Sequence, residues 1–188
     1  IGLAASGTGN IPSFTAINNG TAPVVATIIV TPSYLSGQLT CLGTPQTFTI
    51  TVNPTPNVAQ PANQEVCSGN LTNAVNFTST VPGTVFNWTN SNTSIGLGAS
   101  GNGNIPSFLT INNGNTTQVA IIIVTPVFTN AGVTCSGAPR TFTITVFPRP
   151  TVNVGPDLEI CQNQVANLNA VLGGGAVSGT WTTTGTGT

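Results

Sequence analysis

The chain has 188 residues, of which two are basic and three acidic, with no histidine and a formal net charge of −1. That balance leaves no basic face for nucleic acid and no polybasic patch for anionic lipid, and it removes the commonest general base and metal ligand. Hydrophobic residues nevertheless make up 39% of the chain, with Val and Ile prominent among them, so a packed fold is expected, with neutral Thr, Asn, Ser and Gln facing water.

The first element in the chain, "IGLAASGTGNIPSF" at residues 1–14, returns as "IGLGASGNGNIPSF" at residues 95–108. The repetition is general. Ile1 and Ile95, Cys41 and Cys135, and Cys67 and Cys161 are each 94 residues apart, and 188 is two such periods. A period of that length suits independent domains with their own cores and is far too long for a solenoid. The glycine-rich phrase begins like a dinucleotide fingerprint, but Pro12 and Pro106 stand where the phosphate-binding helix would have to start. No acidic residue follows at the required distance, and the chain has no lysine for a P-loop, so no nucleotide cofactor is expected. The phrase is read as a mid-domain crossing segment. Glycines 7, 9, 101 and 103 are expected to permit tight turns. Ile11 and Phe14, with their equivalents Ile105 and Phe108, are expected to anchor the loop to the core, and all four are candidates for an inter-domain or inter-subunit contact.

Further along, "TFTITV" at 47–52 and 141–146 alternates apolar and hydroxyl side chains, the pattern of a half-buried antiparallel strand. Each copy is followed by alternating prolines, "NPTP" at 53–56 and "FPRP" at 147–150, which favour extended, semi-rigid linker chain. These punctuation marks divide the sequence into the C-terminal part of one repeat at 1–53, a complete repeat at 54–147 and the N-terminal part of a further repeat at 148–188. On this reading the sequence begins inside a domain. Within the complete repeat, "AVNFTST" and "TVFNWTN" read as strands flanking "VPG", with Phe77, Phe86, Trp88 and, in the next copy, Trp181 as core aromatics. "INNG" at 111–114 carries an Asn-Gly turn signal, and "VAIIIVTP" at 119–126 reads as a central strand ended by proline. Nothing shows helical periodicity, and no apolar run approaches the ~18 residues needed to span a bilayer. About seven short strands per period specify an all-β fold of tandem immunoglobulin-like β-sandwich domains joined by proline-rich linkers.

The four cysteines suggest disulfides and an oxidising compartment. Cys67 is placed at the start of the first strand of the complete repeat and Cys135 in its last hairpin turn, just before the final strand, so both are expected at the entry end of the sandwich, which favours a Cys67–Cys135 bridge. Cys41 and Cys161 would then pair outside this stretch, and four reduced thiols are the alternative. Catalysis finds few candidates. Asp157 and Glu159 lie two apart on one strand face, and Glu65 stands at the position equivalent to Glu159, 94 residues earlier. Calcium at a domain junction is weighed on Asp157 and Glu159, but the corresponding first linker offers only Glu65, too few oxygens for that ion. No catalytic, metal-ligating or cofactor-binding residue is assigned.

Taken together, the phrases "VCSGN", "FNWTNSNTSIGLGASGNGNIPSF" and C-x-G-x-P-x-TFTITV-x-P-x-P resemble the PKD-like, immunoglobulin-like repeats of very large surface proteins of the Bacteroidota. Residues 155–188 look like a related repeat of the same proteins. Such proteins resemble gliding-motility adhesins of the SprB type, which are exported by type IX secretion. The resemblance implies a cell-surface location and a non-catalytic role in a stalk or adhesin. Its expected partners are neighbouring repeats of the same chain, with other copies in a filament or a surface polysaccharide as alternatives.

Overall fold

The computed structural model describes residues 1–185 and is built almost wholly of extended chain. The elements in order are β1 (Val24–Val30), β2 (Ser33–Ser36), β3 (Leu39–Leu42), β4 (Gln46–Val52), β5 (Gln64–Cys67), β6 (Val85–Asn90), β7 (Ser100–Asn102), β8 (Gln118–Asn130), β9 (Val133–Ser136), β10 (Arg140–Phe147), β11 (Thr151–Asn153) and β12 (Val171–Gly173). One 3-10 turn, Thr93–Ile95, is the sole helical element among the described residues. Strands β5-β10-β8-β6-β7 form a sheet in that order, with β9 added on β8, and three two-stranded ladders join β1 to β4, β2 to β3 and β11 to β12. The fold is an all-β sandwich, as the strand pattern predicts.

By their contacts the residues fall into two compact units. One comprises Ile1–Ala59, Thr78–Asn87 and Thr125–Pro139; the other comprises Gln60–Phe77, Trp88–Val124 and the chain from Arg140 onwards.

In the second unit the sequence alternation is realised directly. Phe142, Ile144 and Val146 of β10 and Ala120, Ile122 and Val124 of β8 are buried on one face. The ladder between them is antiparallel, from Arg140 opposite Val124 to Val146 opposite Gln118. The opposing layer is irregular chain. "AVNFTST" makes no strand: it is held by the single bridge of Val75 to Ile105, with Leu71 bridged to Leu109 just before it, so side-chain burial rather than a continuous ladder fixes it. Phe77 meets Phe142 edge to face across the layers, with ring centroids 6.4 Å apart. Each such buried large apolar side chain contributes roughly 1.5–3 kcal/mol. β5 lies on the other edge of β10 and runs parallel to it, from Gln64 opposite Ile144 to Cys67 opposite Phe147.

In the first unit β1 and β4 pair with the register of β8 and β10 one period later, from Val24 opposite Val52 to Val30 opposite Gln46. β8 does not stop at its proline, contrary to the sequence reading. It runs through Pro126 for 13 residues, because past Val124 its partner changes from β10 to β9, and Val127 faces Ser136. The missing N–H of Pro126 falls at that change, while its carbonyl still accepts from the Gly137 N–H at 2.9 Å. The first proline pair also differs from a free linker. Pro54 and Pro56 are fully buried, and a Cβ at Gly137 would overlap the Pro56 carbonyl.

Candidate functional site

The repeated crossing segment is the most densely engineered part of the second unit. It leaves β6 at Asn90, a buried side chain whose Nδ2 donates to the carbonyls of Leu97 (3.0 Å) and Gly98 (3.2 Å). Asn92 caps the 3-10 turn: its Oδ1 accepts from the Ser94 N–H (3.1 Å) and hydroxyl (2.6 Å). Gly96 follows with φ +98°, a left-handed conformation that favours glycine. Ile95 and Leu97 are buried.

Gly101 in β7 has a different reason to be glycine. A Cβ there would overlap the Trp88 indole, so the tryptophan lies directly on the bare backbone. Of the glycines expected to turn the chain, Gly9 and Gly103 do so, with φ of +78° and +70°, whereas Gly101 makes room. Ile105 then closes the segment with two backbone bonds to Val75, 2.8 and 3.0 Å. Phe108 is half-buried, and its N–H donates to the Thr72 hydroxyl at 3.2 Å while its carbonyl accepts from the Thr72 N–H at 3.0 Å.

The segment ends in an amide clamp. "INNG" is not a hairpin turn, because β8 begins only at Gln118. Instead Asn112 Oδ1 accepts from the Gly114 N–H (3.0 Å), and its Nδ2 donates to the carbonyls of Thr116 (2.9 Å) and Val146 (2.9 Å). The side chain thus ties the loop to the end of β10. Asn18 repeats the pattern in the first unit: Gly20 N–H to Oδ1 at 2.9 Å, Nδ2 to Ala22 at 2.9 Å and to Val52 at 2.7 Å. Sequence reasoning missed this clamp, although the identical "INNG" at 17–20 and 111–114 was its signal.

The four candidate contact residues divide. Ile105 is 1% exposed and bonded within its own unit, so it anchors the core and is not available to a neighbouring chain. Phe108 is half-buried against Thr72. Ile11, the counterpart of Ile105, is 43% exposed, and Phe14, the counterpart of Phe108, is half-buried. The tryptophans divide likewise: Trp88 is 7% exposed, as a core residue should be, but Trp181 is 87% exposed.

Cys41, Cys67, Cys135 and Cys161, the cysteines expected to form bridges, are free thiols in this structure. Cys67 is the last residue of β5, and Cys135 lies on β9.

Chemistry has little to work with here. Among the described residues no group of three or more His, Cys, Asp or Glu side chains could hold a metal ion. A polar surface depression of about 450 Å³ lies near the clamp, lined by Ser68, Gly69, Thr110, Asn112, Asn113 and Arg149 among others. No aromatic ring lines it, so it lacks the flat surface on which a sugar stacks. No helix of the described residues is long and apolar enough to cross a membrane.

Residues 64–150, from the first residue of β5 to the second proline of "FPRP", match the family model of the PKD-like domain. That span is similar to the PKD-like domain, and the similarity supports a PKD-like or immunoglobulin-like repeat there. No curated protein and no solved structure matches the chain.

Proposed function

We propose that the chain is a non-catalytic structural segment of an extended extracellular fibre or adhesin stalk at the cell surface, with the C-terminal part of one repeat at 1–53, a complete repeat at 54–147 and the N-terminal part of a further repeat at 148–188. PKD-like domains are generally non-catalytic and typically extracellular, which supports the coarse part of this reading. Assignment to Bacteroidota surface adhesins of the SprB type, with type IX secretion, rests on the sequence phrases alone.

One observation carries the load-bearing part. In the PKD-like repeat the first strand, β5, is parallel to the last, β10. Pulling the two ends of that repeat apart drags β5 and β10 in opposite directions along their shared ladder. Its hydrogen bonds are then loaded together in shear, not opened one by one. A stalk module benefits from that geometry. Proline after β10 and a surface of hydroxyls and amides suit the same role.

Stretching the 188-residue chain by its two ends tests the proposal. The 84 residues from Gln64 to Phe147 should release about 300 Å of contour in one abrupt event. Gradual lengthening at low force would contradict it. Glycan binding in the polar depression has less support, since no aromatic ring lines it.

A further inference from the structure

An asparagine followed by glycine is among the most labile pairs in an ageing chain. The glycine amide nitrogen attacks the side-chain Cγ, the bond to Nδ2 breaks, and the glycine proton leaves with Nδ2 as ammonia, closing a cyclic imide. Water then opens the imide at either carbonyl carbon, giving aspartate or isoaspartate. The chain contains three such pairs, Asn19–Gly20, Asn102–Gly103 and Asn113–Gly114, and each of these asparagines is exposed.

Two of the pairs lie in the amide clamp. The Gly114 N–H donates to Asn112 Oδ1 at 3.0 Å, and the Gly20 N–H to Asn18 Oδ1 at 2.9 Å. Those acceptors are themselves held, because Asn112 Nδ2 donates to the Thr116 and Val146 carbonyls and Asn18 Nδ2 to those of Ala22 and Val52. In both, the attacking nitrogen must give up a bond to a fixed oxygen before it can turn to the neighbouring Cγ. In the third pair no side chain can play this part from the same position. The residue before Asn102 is Gly101, and it is glycine because the Trp88 indole occupies the place of its Cβ. Asn102 ends β7, a strand of three residues at the edge of its sheet, and Gly103 turns the chain with φ +70° and open space around its Cβ position.

We infer that Asn102 deamidates spontaneously as the chain ages, and that the first asparagine of each "INNG" holds the pair after it out of the same reaction. Conversion of Asn102 adds a carboxylate to a chain with three acidic side chains. Isoaspartate also inserts one backbone carbon next to the glycine on which Trp88 lies. The first copy of the segment carries Thr8 where the second carries Asn102, so it has no such pair at that position. This chemistry is independent of the stalk reading.

Peptide mapping by mass spectrometry, at intervals while the 188-residue chain is held at mildly alkaline pH, tests this. In the folded chain Asn102 should lose its amide at least about fivefold faster than Asn19 or Asn113, the factor set by one hydrogen bond. In urea, where the clamp is open, the three sites should react at similar rates. Asn102→Thr should remove most of the early ammonia release. Asn112→Ala takes away the acceptor and should speed the loss at Asn113 about fivefold, whereas Asn112→Asp keeps an oxygen for the Gly114 N–H and should leave Asn113 slow. Both variants lose the Nδ2 bonds, so loosening of the loop alone would expose Asn113 equally in the two. Asn19 or Asn113 reacting as fast as Asn102 in the folded chain, a difference that persists in urea, or equal rates at Asn113 in the two variants would each overturn the inference.

Discussion

At the scale of single residues, small and amide side chains carry much of the specification. Gly101 is glycine because Trp88 occupies the space of its Cβ. Gly101→Ala should therefore destabilise the repeat by about 2 kcal/mol through overpacking, measured by urea unfolding, whereas Gly7→Ala should be within about 0.5 kcal/mol of wild type. Asn112 is a second such point. Asn112→Ala leaves the Val146 carbonyl without that donor and should cost about 2 kcal/mol, and Asn112→Asp should rescue little, since the lost bonds come from Nδ2. Neither residue's role was legible from local sequence. A glycine that yields space to a ring 13 positions away, and an amide that reaches a carbonyl 34 positions on, depend on contacts that no local pattern encodes.

Among elements, what was legible is what repeats with period two. The alternation in "TFTITV" predicts the buried face of β10, and Phe142, Ile144 and Val146 occupy it. Irregular layers were not legible. "AVNFTST" has strand-like composition, yet packing holds Val75 and Phe77 in place with one bridge instead of a ladder. Strand direction was also hidden from sequence: a parallel β5 carries Cys67 to the far end of β10. The repeat supplies an internal control on core energetics. Phe142→Ala should cost about 3–5 kcal/mol, whereas Phe48→Ala at the equivalent, half-exposed position in a dilute chain should cost under about 1 kcal/mol. Equal losses in thermal or urea unfolding would mean that both faces are covered.

Over the whole molecule, the near absence of charge shapes behaviour. With no histidine and five charged residues in 188, few protons are exchanged on unfolding near neutrality. The unfolding midpoint should move by less than about 2 °C between about pH 5 and 7, and by a similarly small amount on adding salt, which screens little where little charge exists. Such indifference fits a structural role outside the cell. The central claim is mechanical, and the parallel β5–β10 ladder is where it is most exposed to test. Force spectroscopy on the full chain should compare handles at residues 63 and 148, which load that ladder in shear, with handles at residues 67 and 147, which open it from one end. The account predicts a rupture force several-fold higher in the first geometry. Equal forces in the two, or a lower one in shear, would contradict it.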